Sequence, residues 1–137
     1  MRSISYPLLW VSAFGFVLSV VVHLCALFGL ASPLGTYTWL LHPGIFVVWF
    51  PAVILSGRMT KDAKAKDFWN TIFARCPAWM KKVMYGIGAY ALLNFIWFVV
   101  ATNKSDHHTD GAMSPPPVAR GFSGHWLVFY WAAVCIF

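Results

Sequence analysis

No glutamate occurs anywhere in this chain, and its four acidic residues are all aspartates: Asp62, Asp67, Asp106 and Asp110. None of them lies inside a long apolar run. Carboxylate proton pumps and di-metal carboxylate oxidases place acids inside such runs, so the sequence speaks against both. Charge of either sign is scarce, at 10% of residues against about 25% in soluble domains. Cysteine is sparse too. Cys25, Cys76 and Cys135 fall at irregular spacing with no CxxC or zinc pattern, which predicts buried structural thiols. No P-loop, GxGxxG, GxSxG or HExxH is present. The two glycines of Gly86-Ile87-Gly88 are spaced for helix packing rather than for phosphate. No internal repeat of the transporter type is visible.

What the chain has is apolar length. Hydrophobic residues make up 60% of it and the mean hydropathy is +0.68. A water-soluble fold of this size could not hide so much apolar surface. Four runs stand out, at 8–30, 39–55, 83–101 and 122–137. A helix needs about 20 residues, at ~1.5 Å each, to cross the hydrocarbon core. The first run is too long for a signal-peptide core and is read as a retained span. In the second, Pro43 sits near the helix start, where a missing N–H costs little, and Pro51 is interior and should kink the helix. The last run covers only ~24 Å. It must start low in the interface, thin the bilayer, or be shielded by neighbouring protein. A three-span layout, with this run lying in the interface, stays open.

The positive charges are not spread evenly. Arg58, Lys61, Lys64, Lys66, Arg75, Lys81 and Lys82 are seven of the ten Lys and Arg residues. With four spans they share a side with Arg2, and only Lys104 and Arg120 face the other. The positive-inside rule then puts both termini in the cytoplasm of an inner membrane. A charge so confined reads as a topology signal, and no nucleic-acid partner is expected. Within this segment, 61–77, the apolar face Phe68, Trp69, Ile72, Phe73 and Cys76 opposes a polar one. That predicts a short amphipathic helix lying on lipid or on the protein itself, with Lys64, Lys66 and Arg75 at the lipid surface.

The fold expected is an all-α membrane protein in a single domain. It has four transmembrane helices and a basic amphipathic interfacial helix between the second and third. Inside it, Ser12 and Ser19 stack with His23 on one face of the first helix, next to Gly15. Such a face points into a bundle. Gly86 and Asn94 mark the packing face of the third helix, and Asn94 near mid-membrane needs an interhelical partner.

Three histidines provide the candidate chemistry. His23, His42 and His125 all fall toward the outer leaflet under this topology. Imidazole is a common metal and haem ligand, and intramembrane ionisable groups point to function. The histidines could hold a haem or metal, line a quinone or proton site, or simply hydrogen-bond between helices. In the outer loop, 102–121, Asp106, His107, His108 and Asp110 are ligand-type residues for a weak zinc or copper site, or a solvated tip.

The strings Leu41-His42-Pro43-Gly44-Ile45-Phe46-Val47-Val48-Trp49 and Arg120-Gly121-Phe122-Ser123-Gly124-His125-Trp126 resemble small multi-spanning bacterial inner-membrane proteins of unassigned function. In those, an FSGHW-like C-terminal span follows a Pro-rich loop. The resemblance implies a bacterial inner-membrane setting and no activity. The reading that follows is a non-enzymatic accessory or structural subunit of a larger membrane complex. Its partners are membrane lipids and other membrane protein subunits. A haem- or metal-binding redox protein and a sensor of anionic lipid are the alternatives.

Overall fold

The computed structural model describes the backbone of residues 2–105 and 118–137, and the side chains of residues 5–102 and 120–137. Among the described residues the chain is helical, with no strand. Helix α1 is Arg2–Leu27, α2 is Leu41–Met59, α3 is the short Phe68–Ile72, α4 is Ala78–Ser105 and α5 is Val118–Ile136.

The helix ends follow from local chemistry. The first apolar run extends to residue 30, yet α1 stops at Leu27 because Gly29 adopts φ 68°. The Leu30 amide then returns to the Cys25 carbonyl at 2.8 Å, the closure that follows a left-handed glycine. A 3₁₀ turn, Gly35–Leu40, leads straight into α2. Pro43 lies in the first turn of α2, and Pro51 is carried inside it without a backbone donor. Past α2, the amphipathic segment is less helical than its pattern suggests. It consists of a 3₁₀ turn at Ala65–Asp67 and a single α turn and a half at Phe68–Ile72.

Three stretches are long and apolar enough to cross a membrane: Ser5–Leu27, Gly35–Met59 and Ala78–Thr102. Helix α5, described with its side chains over residues 120–136, is shorter than these and polar at its start, where Arg120, Gly121, Ser123, Gly124 and His125 lie. It nevertheless organises the fold. It packs against α1, α4 and α2, whereas α1 and α2 meet each other much less. No residue from 120 to 137 is exposed. It also begins four residues earlier than the apolar run, so its 19 residues reach about 28 Å.

Two buried clusters stack along α5. The first joins Val22 of α1 and Leu41, Ile45 and Val48 of α2 to Trp126, Tyr130 and Ala133. The second joins Ala52 of α2, Ile72, Phe73 and Cys76 to Cys135 and Ile136. Close approach depends on absent side chains. A Cβ on Gly15 would run into the Tyr130 ring, and one on Gly121 would meet Phe98 within 2.6–2.8 Å.

Candidate functional site

Several polar side chains of the described helices converge on α5, each through a hydrogen bond that ties α5 to a neighbour. His23 on α1 is 4% exposed. Its Nδ1 is 2.6 Å from Ser123 Oγ, and its Nε2 is 2.5 Å from the Tyr90 hydroxyl on α4. Three helices therefore meet at one imidazole. Asn94 on α4 donates from Nδ2 to the Arg120 carbonyl at 2.8 Å. Ser123 Oγ also lies 3.3 Å from that carbonyl.

These distances select a tautomer. If Nδ1 carries the proton, Tyr90 donates to Nε2, Nδ1 donates to Ser123, and Ser123 donates to the Arg120 carbonyl. Every proton then has an acceptor. The other tautomer turns the Tyr90 proton away from His23 and makes Ser123 donate to Nδ1 instead of to the Arg120 carbonyl. The chain of donors thus runs from α4 through α1 to the first turns of α5.

The α2 contact is made the same way. Trp126 is fully buried and donates from Nε1 to His42 Nδ1 at 3.1 Å. An indole can only donate, so His42 Nδ1 is bare and its proton sits on Nε2. Tyr130 donates to the Leu41 carbonyl at 3.0 Å, and Trp131 donates to the Met80 carbonyl of α4 at 3.2 Å. At the first turns of α5, Phe122 meets both His125, stacked at 5.8 Å, and His42, edge-on at 5.9 Å. The Arg120 guanidinium lies 4.0 Å over the Trp97 ring.

The residues singled out from sequence separate into distinct settings. His23 and His42 are engaged in joining helices. Among the described residues, His125 keeps a buried ring nitrogen, Nδ1, without a hydrogen-bond partner. No group of three metal-ligating side chains forms among the described residues. Asp106, His107, His108 and Asp110 lie outside the described residues. Ser12 and Ser19 are fully buried, and their hydroxyls donate back to Leu8 and Gly15 carbonyls at 2.6 and 2.7 Å. They present small surfaces to the bundle and spend their polarity on their own helix. Gly86 differs from expectation. Among the described residues, nothing lies within 4 Å of where a Cβ on Gly86 would sit. Lys64, Lys66 and Arg75 are exposed.

Sequence reasoning did not single out Ser123, Trp126 and Tyr130, which with His23 and Asn94 make the seam. Their only sequence signal is that polar-capable residues crowd an otherwise apolar helix. The imidazole–hydroxyl pair of His23 and Ser123 has the parts of a nucleophile and base. Ser123 is fully buried, so no substrate reaches it, and the pair joins helices instead. Comparison of the chain with protein-family models, with curated proteins and with solved structures finds no match.

Proposed function

We propose that this chain is a non-enzymatic integral membrane protein with four crossing helices, α1, α2, α4 and α5. It serves as an accessory or structural subunit of a larger membrane assembly. In this reading α5 crosses inside a protein surround, which is where a helix with polar side chains is tolerated. The basic segment and both termini lie on the cytoplasmic side of a bacterial inner membrane, from the eight-to-two bias of cations.

Helix α4 is the observation that carries the subunit reading. It leaves Tyr85, Leu92, Leu93 and Ile96 exposed, and Gly86 opens a notch along the same helix. A small residue lets another helix approach closely, and among the described residues no helix uses this one. The inner polar groups, by contrast, are consumed in holding α5.

Photo-crosslinking in native membranes tests this reading. A photoreactive side chain placed at Gly86 or Leu93 is expected to give a polypeptide adduct of defined mass. Adducts with lipid alone at both positions would sink the subunit reading.

A further inference from the structure

The segment between α2 and α4 has an apolar face that the structure divides in two. Ile72, Phe73 and Cys76 are buried against Ala52 of α2 and Cys135 and Ile136 of α5. Phe68 and Trp69 remain exposed, at 39% and 62%, and Trp79 is exposed nearby. Trp69 stacks on Phe73 with their rings 6° apart, so the exposed aromatic stands on the buried one. Arg58, Lys61, Lys64, Lys66, Arg75 and Lys82 are exposed in the same segment. Among the described residues none of these cations is held in an ion pair. Arg75 also borders a crevice of about 160 Å³ shared with Ser5, Tyr6 and Phe137.

We propose that this segment is a binding face for the phosphate headgroups of anionic phospholipids. Lys64, Lys66 and Arg75 are its phosphate-binding cations, and Phe68 and Trp69 its interfacial anchors. The proposal rests on the membrane reading above. Charge complementarity names an anionic occupant. The aromatics distinguish a bilayer surface from an acidic protein, because indole and phenyl rings settle at headgroup depth beside Lys and Arg. Tethering supports the same choice. The segment is joined at both ends to helices long enough to cross, so it cannot leave the headgroup layer, and its effective concentration there is high. The buried half of the face belongs to the α5 cluster. Headgroup contact therefore bears directly on the residues that hold the inner end of α5.

The test uses the full chain in nanodiscs of phosphatidylcholine with and without phosphatidylglycerol. Native mass spectrometry reads the retained lipid. The wild-type protein is expected to retain phosphatidylglycerol preferentially and to lose that preference as salt is raised. Replacing Lys64, Lys66 and Arg75 by Gln, singly and together, should cut the preference by about fivefold per cation removed. These exposed side chains hold no part of the core, so the variants fold. A thermal unfolding midpoint in neutral nanodiscs equal to the wild type's checks this. Equal retention of both lipids by the wild type, or an unchanged preference in the triple variant, overturns the proposal. Inorganic phosphate that displaces the lipid at low millimolar concentration would mark a free-phosphate site instead. An acidic peptide bound in neutral nanodiscs as tightly as phosphatidylglycerol would mark a protein-docking face. A chain that never enters nanodiscs overturns the membrane reading itself, and the lipid face with it.

Discussion

Helices α4 and α5 differ most in how much protein surrounds them. Helix α4 is apolar enough to cross a membrane, yet only 11% of its most apolar window is buried within the protein. Helix α5 carries Arg120, Ser123, His125 and Tyr130 and has no exposed residue from 120 onward. Average apolarity reports how well a helix dissolves in hydrocarbon. It does not report how much other protein surrounds it. A helix inside a bundle can carry Ser, His, Trp and Tyr because its neighbours supply partners, and those groups then fix which neighbour lies where.

The contrast can be broken most severely at Trp126. Trp126→Ala empties a fully buried site and leaves His42 Nδ1 without its donor. A loss of about 3–5 kcal/mol is expected, read as unfolding in a mild detergent. Gly15→Leu attacks the same helix from the other side. It forces the side chain into the Tyr130 ring and should cost about 1–3 kcal/mol or more, with Gly15→Ala already measurable. His23→Leu removes the junction of α1, α4 and α5. It strands the Tyr90 hydroxyl and should cost about 1–3 kcal/mol. Asn94→Leu deletes one α4–α5 hydrogen bond, for about 0.6–2 kcal/mol. Leu93→Ala on the exposed face of α4 should stay within about 0.5 kcal/mol in the isolated protein. If Leu93→Ala proves as costly there as His23→Leu, the division between a core helix and an uncovered one is wrong.

Much of the helical layout is legible in the sequence, since long uncharged runs have few other physical solutions. Asn94 was legible as well, because an amide amid apolar residues demands a partner, and the Arg120 carbonyl is that partner. Other features were hidden for physical reasons. The early stop of α1 depends on the backbone angle of Gly29, and a glycine within an apolar run need not break it. Gly86 has a packing residue's spacing, yet spacing cannot say whether the partner belongs to the same chain. The aromatic face of 61–77 looked uniform by periodicity. Only the position of α5 decides that Phe73 goes inward and Trp69 outward. Ser123 and Tyr130 were silent because their roles are set by residues far away in sequence, His23 being 100 positions from Ser123.

That separation has a consequence in time. On the ribosome, α1, α2 and α4 all emerge before α5, and these three have few contacts with one another. Until α5 arrives, Asn94 lacks its partner and His23 has only Tyr90, and Val22, Leu41 and Ile45 lack the Trp126 and Tyr130 surface they close on. Assembly of the bundle therefore waits on its last helix, which must enter a place its predecessors have left vacant. A pause in translation before Val118 would hold the chain as loosely associated segments, open to proteolysis and to capture by chaperones. Release from that state would come in one late step, when α5 closes its contacts with α1, α2 and α4 together.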